Sequence, residues 1–355
     1  MNLDNVTAVR EMDPDNMLDR IAELPQQCRD AWLAAQELDV PGDHGDIEQV
    51  VVLGMGGSAI GGALLKGLVE DDCTVPISVV RGYELPAFVE GADTLVVASS
   101  YSGNTEETLS SFRKALERGA KATAITTGGK LGDLAAEHDL PIVTFEYDAQ
   151  PRAALGFSFT LLLGLFTHLG LVRDFSDDVE EAAAVMEAWQ EEIALAVPTE
   201  ENEAKQLARS LAGRLPVVYG AGFLTAAANR WKTQFNENAK HWAFFEQLPE
   251  LNHNAVVGFG LPEVVRENAV VLMLRSNHDH PRVQVRWDVT EELLEREGVD
   301  VETVEGRGES ALAQMLSVIH FGDYVSYYLT MLNGVDPTPV ETIAFLKRRL
   351  ANGGR

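Results

Sequence analysis

Twice in this chain an apolar, β-branched run ends in Gly-x-Gly and passes at once into helical spacing. Val50-Val51-Val52-Leu53 precedes Gly54-Met55-Gly56, and Val217-Val218-Tyr219 precedes Gly220-Ala221-Gly222. A strand that is apolar throughout needs both faces covered, and a helix directly after it supplies one cover. A further run, Thr94 to Val97, leads into Ala98-Ser99-Ser100-Tyr101-Ser102-Gly103-Asn104-Thr105-Glu106-Glu107-Thr108 and then the amphipathic stretch Leu109 to Arg118. Strands are also expected at Val75–Arg81, Lys121–Thr126, Pro141–Phe145, Ala243–Phe245, Ala269–Leu274 and Val299–Val304. Strands alternating with helices at this spacing predict an α/β fold, and the repeated strand–glycine–helix unit predicts two tandem domains, each a parallel sheet flanked by helices.

Helical spacing is also read at Met17–Leu24 and Cys28–Leu38, with Pro41-Gly42 breaking the pattern. It recurs over 177–213, Phe223–Lys240, Ser310–Leu332 and Val340–Leu350. The expected division is an N-terminal helical segment 1–45, a first domain 46–175 and a second domain with C-terminal helices 176–355. Ala153 to Val172 is long enough to span a membrane, but it carries Ser158, Thr160, Thr167, His168 and glycines. It is read as a helix buried between domains or subunits.

The net charge of −27 disfavours nucleic acid, which requires a basic footprint. Acid excess with eight lysines against twenty arginines fits a hydrated surface in a high-salt cytoplasm, or simply an acidic protein. Cys28 and Cys73 offer no disulfide framework and no metal-ligand spacing. The acidic N-terminus, with Asp4, Glu11, Asp13 and Asp15, lacks a signal-peptide pattern, so a cytoplasmic location is expected.

The turn at Ser100 to Thr105 is the best candidate for binding. A strand ends there, a helix begins, and Ser100, Ser102 and Thr105 surround Gly103. Free backbone N–H groups, the positive helix end and several hydroxyls suit one anion, and ligand crevices lie at the carboxyl ends of parallel strands. With no lysine in the turn, a phosphate would be held as a handle and not as the reacting group. The Gly54 turn departs from a dinucleotide fingerprint, because the next strand ends in Val80-Arg81 and not in an acid. Gly56 and Gly57 instead offer close approach to main chain, with Ser58 capping the helix and reaching the ligand. His278-Asp279-His280 is read as an exposed loop and not a metal site.

Ser-Tyr-Ser-Gly-Asn-Thr with Gly-Met-Gly-Gly-Ser upstream resembles the sugar isomerase (SIS) domain family. Phe235-Asn236-Glu237-Asn238-Ala239-Lys240, with His253 beyond it, resembles the bifunctional phosphoglucose/phosphomannose isomerases. So does Asp336-Pro337 followed by Leu346-Lys347. The resemblance runs from about residue 48 to 350 and implies two SIS-type domains acting on a small sugar phosphate. Interconverting an aldose and a ketose phosphate moves a proton between C1 and C2 through an enediol. It needs a base beside both carbons, a cation near the enediolate oxygen and a group that opens the ring; it requires no metal or other cofactor.

On pattern alone Glu237 is a solvated helix acid, His253 a loop histidine and Lys347 a basic residue at a helix C-terminus. Arg152 either snorkels or faces a cleft. The resemblance implies that Glu237 is the base, that Arg152 stabilises the enediolate, and that His253 and Lys347 open the ring. It also implies a homodimer in which His253 reaches the partner's site. The position seven before Lys347, which in the family bears on rotation about C2–C3, is Val340 here, with Thr338 and Thr342 nearby. The alternatives are the isomerase half of a glucosamine 6-phosphate synthase, a sugar-phosphate-sensing regulator and a non-catalytic sugar-phosphate binder.

Overall fold

The computed structural model describes residues 1–38 and 47–353, so the predicted break at Pro41-Gly42 lies outside the described residues. Three N-terminal helices, α1 (Val6–Glu11), α2 (Met17–Ala22) and α3 (Leu24–Gln36), precede the first sheet. That sheet alternates with helices: β1 (Gln49–Leu53), α4 (Gly56–Val69), β2 (Ile77–Val80), β3 (Thr94–Ser99), α5 (Glu106–Glu117), β4 (Lys121–Thr126), α6 (Gly129–Glu137) and β5 (Ile142–Thr144). Its order is β2-β1-β3-β4-β5, and every pairing is parallel. All six residues of β3 are buried, which is why a Thr-Leu-Val-Val run without polar alternation is a strand here.

A helical layer follows: α7 (Leu155–His168), α8 (Ser176–Ile193) and α9 (Glu203–Leu211). The second sheet contains β6 (Leu215–Ala221), α10 (Leu224–Glu237), β7 (Phe244–Leu248), α11 (Glu263–Asn268), β8 (Ala269–Arg275), α12 (Pro281–Glu297) and β9 (Asp300–Glu305). Its order is β7-β6-β8-β9, again all parallel. Two long elements close the chain, α13 (Ala311–Asn333) and α14 (Glu341–Ala351). The predicted α/β class and the pair of parallel sheets are therefore present. β6 occupies in the second sheet the position that β1 occupies in the first, flanked by the next two strands of its own unit.

Several expectations need correction. The helical span 177–213 is broken between Ile193 and Glu203, where Pro198 lacks an N–H to continue the ladder. The acidic helix α12 was not foreseen, because only Trp287, Thr290 and Leu294 are buried on it, too few for a clear apolar period. The segment 278–280 is not wholly exposed. Asp279 is buried and accepts from Trp287 Nε1 at 2.8 Å, while His280 accepts from Arg282 N–H as the N-cap of α12.

The core is helical and continuous between the sheets. The apolar run is α7, fourteen residues long, packed on α3 and α4, as a buried helix should be. No described helix is long and apolar enough to cross a membrane. α13 packs against α8, α9 and α10 and is buried almost throughout. One hydrophobic cluster runs from Leu3 through Phe159 and Trp231 to Tyr327, so the two sheets share a core. Each buried Leu or Phe in it contributes about 1.5–3 kcal/mol over an exposed one.

Candidate active site

The first sheet reverses strand order between β1 and β3, because β2 lies outside β1. In open parallel sheets a ligand crevice forms at such a point, beyond the carboxyl ends of the strands. The two loops there are Gly54–Gly56 after β1 and Ser100–Thr105 after β3. Gly103 has φ +63°, and a Cβ on it would fall 1.8 Å from Gly128 O, so only glycine lets the turn close against the β4–α6 loop. Gly56, at φ +51°, has open space where a Cβ would lie.

The hydroxyls bond one another and loop amides, and the Thr105 hydroxyl does not cap α5. Thr105 is the N-cap of α5, yet its side chain makes no capping bond. It accepts instead from Ser100 Oγ at 3.2 Å. Ser102 Oγ accepts from Asn104 N–H at 3.3 Å. The expected cap at Ser58 is incorrect: Met55 holds the N-cap position, and Ser58 lies within the first turn of α4. Its Oγ accepts from Tyr101 N–H at 3.2 Å, which ties the two loops into one cradle. Gly57 backs directly onto the next part of the site, since a Cβ there would meet Pro151 O at 3.0 Å.

Arg152 lies in the 3-10 turn Pro151–Ala153 at the head of α7 and is 4% exposed. Its Nε donates to Asn238 Oδ1 at 2.7 Å, and one Nη donates to Pro337 O at 2.8 Å and Thr338 O at 2.9 Å. The other Nη is 3.7 Å from Glu237 Oε2. Burial pulls the guanidinium below its usual range, and the Glu237 carboxylate opposes that. Beneath it, Arg230 donates to Arg152 O at 2.7 Å and to Asp323 at 2.9 Å. Burial pushes the Asp323 carboxyl up, against the pull of Arg230.

Glu237 is the last residue of α10, and its side chain is 29% exposed. It opens onto a cleft of about 710 Å³ that is also lined by Lys240, Trp242, Asp336, Val340 and Ile343. A partly desolvated carboxylate beside a buried guanidinium can move a proton and stabilise an adjacent oxyanion.

The other two predicted residues stand apart. His253 is exposed at the end of the 3-10 turn Glu250–His253. Lys347 is exposed on α14, of which no residue is buried. Neither touches Arg152 or Glu237 within the chain. Sequence reasoning missed Asn238, which is fully buried, orients Arg152 and donates to Ser326 Oγ at 3.0 Å. Its one available signal was an amide directly after the candidate base. Thr338 was considered only for its spacing from Lys347. It is buried, its carbonyl holds Arg152, and its hydroxyl has no partner within the chain. Among the described residues no three His, Cys, Asp or Glu side chains cluster as metal ligands.

Residues 200–350 match the family described as the bacterial phospho-glucose isomerase C-terminal SIS domain. A bifunctional phosphoglucose/phosphomannose isomerase of Caldicellulosiruptor bescii is 44% identical over 94% of this chain and 99% of that protein. One from Aquifex aeolicus is 39% identical over 88% of this chain and 93% of its own length. Among solved structures, the C-terminal domain of glucosamine-fructose-6-phosphate aminotransferase from Francisella tularensis superposes with a TM-score of 0.72. It covers 91% of this chain and 98% of that one at 16% identity, a likeness of fold alone. At 44% and 39% identity to these relatives over most of its length, the chain belongs to the bifunctional phosphoglucose/phosphomannose isomerase family.

Proposed function

We propose that this protein interconverts glucose 6-phosphate and mannose 6-phosphate with fructose 6-phosphate through a cis-enediol. The observation that carries the reading is the Arg152–Glu237 pair, 3.7 Å apart, with Glu237 lining a cleft and Gly57 of a lysine-free turn packed against Pro151 beside Arg152. The substrate phosphate is held by Ser58, Ser100, Ser102, Thr105 and the backbone at Gly56 and Gly57. It stays attached throughout, so neutral donors and the N-terminus of α5 suffice. Glu237 takes the proton from C2 and returns it to C1, while Arg152 stabilises the negative oxygen that forms between those steps. His253 and Lys347 open the sugar ring.

The working form is a homodimer in which His253 completes the partner's site. Its support is that Trp242, Phe244 and Phe245 are exposed beside the cleft, and that Phe345, Leu346 and Leu350 are exposed on α14. These large apolar side chains need a cover, and His253 is exposed at the end of its 3-10 turn, open to a partner. The reaction places the protein in glycolysis or gluconeogenesis, in a cytoplasm whose salt suits an acidic surface.

Replacing Glu237 with Gln tests the base. Turnover should fall by about 10²–10⁴-fold with the circular dichroism spectrum unchanged. Near-normal turnover removes Glu237 from that role. Mixing inactive Glu237→Gln chains with inactive His253→Ala chains should restore activity, because each mixed dimer regains one complete site. Failure to complement, with mixed dimers demonstrably formed, rules out sharing of His253.

A further inference from the structure

The turn after α10 holds a residue that backbone preference does not select. Lys240 has φ +51°, in the left-handed region where a Cβ is crowded and glycine is the ordinary occupant. The other described non-glycine residues with positive φ are Asn16 and Asp139, short polar types that tolerate this conformation. A long aliphatic stem has no such tolerance, so the reason for Lys240 lies at its far end. There the ammonium donates to Glu237 O at 2.6 Å and to Pro337 O at 2.8 Å. Pro337 O also accepts from Arg152 at 2.8 Å, so one carbonyl joins two cations.

We propose that Lys240 is a positioning residue of the isomerase site: its ammonium ties the last carbonyl of α10 to the Asp336–Thr338 turn and so holds the Glu237 carboxylate against Arg152. This rests on the roles given above to Glu237 and Arg152 and goes beyond them. Helix ends fray because their last carbonyls lack partners, and here the last helical residue carries the base. Asn238 anchors the next residue through Arg152 and Ser326, and Lys240 anchors Glu237 itself.

The clamp is sensitive to pH. Burial, and then Arg152, push the Lys240 ammonium down to about 8, against the pull of Asp336 and Glu237. His241 and Glu341 line the same cleft. Charge-assisted bonds are about twice as strong as neutral ones, so loss of the proton weakens both carbonyl contacts. Turnover should therefore be full below pH 8 and decline as pH rises through it.

The test compares Lys240→Gly, Lys240→Met and Lys240→Arg in the full chain. Lys240→Gly removes backbone strain and ammonium together, so Tm should hold or rise while kcat falls about tenfold or more, from loss of the two charge-assisted contacts. KM should change by less than about twofold, because the phosphate is held by other loops. Lys240→Met should lose the basic limb of the kcat profile. Lys240→Arg should recover most of kcat and move that limb to higher pH. Unchanged kcat in Lys240→Gly, or the wild-type basic limb in Lys240→Met, overturns the inference. So does a loss of Tm that tracks kcat across the three variants. Glu237→Gln run alongside keeps the two assignments separable. If it stays active, the site itself is misassigned; if it is inactive while Lys240→Gly is fully active, only the role of Lys240 fails.

Discussion

Thr105 stands at the start of a helix that its carbonyl joins but its hydroxyl does not cap. Its backbone is extended as an N-cap requires, but its hydroxyl accepts from Ser100 and makes no capping bond to the α5 amides. Replacing an N-cap hydroxyl ordinarily costs about 1 kcal/mol. In Thr105→Ala, Tm should move less than that implies, while KM for the sugar phosphate rises about tenfold with loss of a bond to a charged group. A large Tm loss with unchanged KM would return Thr105 to plain capping. The hydroxyl-rich turn was legible because so many donors at one strand end exceed what a cap needs. The job of Ser58 was not. Its bond to Tyr101 N–H joins loops over forty positions apart, and local spacing carries no such information.

At the scale of elements, α10, which carries the proposed base Glu237, is held in place by contact with α13. Trp231 lies on α10, and its Nε1 donates to Val318 O on α13 at 2.8 Å. Gly322 makes this possible, since a Cβ there would sit 2.2 Å from the indole ring. Gly322→Ala improves helix propensity but overpacks this contact, so the folded state should lose about 1–3 kcal/mol despite the better helix former. Denaturant unfolding measures it; a stabilised variant would mean that α13 yields without cost. The strands β1, β3, β6 and β8 were legible because apolar runs make up most of each. The edge strand β7 was also expected, at Ala243–Phe245; exposed at Phe244, Phe245, Glu246 and Gln247, it extends to Leu248 through its pairing with β6.

For the whole molecule, 55 acidic residues against 28 basic ones impose self-repulsion on any compact state. The ion pairs recorded at the surface, such as Arg173–Asp178 and Arg275–Asp288, contribute little each. Salt screens the long-range repulsion more than it weakens these contacts, with the Debye length falling from about 10 Å at 0.1 M to about 3 Å at 1 M. Tm should therefore rise with KCl over this range; a falling Tm would mean that the pairs outweigh the net charge.

The amino-acid sequence by itself determined the α/β class and the two parallel sheets, and it marked the hydroxyl-rich turn proposed to hold the phosphate, since strand burial, helix spacing and a glycine turn are local properties. It also marked Glu237 and Arg152, through motif resemblance more than through chemistry. Only the tertiary structure decided that Arg152 is buried, that Asn238, Pro337 and Thr338 orient it, and that Lys240 clamps the end of α10. Those contacts join α7, α10 and the turn before α14, segments as far apart as residues 152 and 338. A buried guanidinium is tolerated only when fixed acceptors surround it, and acceptors drawn from two distant segments, the end of α10 and the turn before α14, meet it only once the shared helical core has formed.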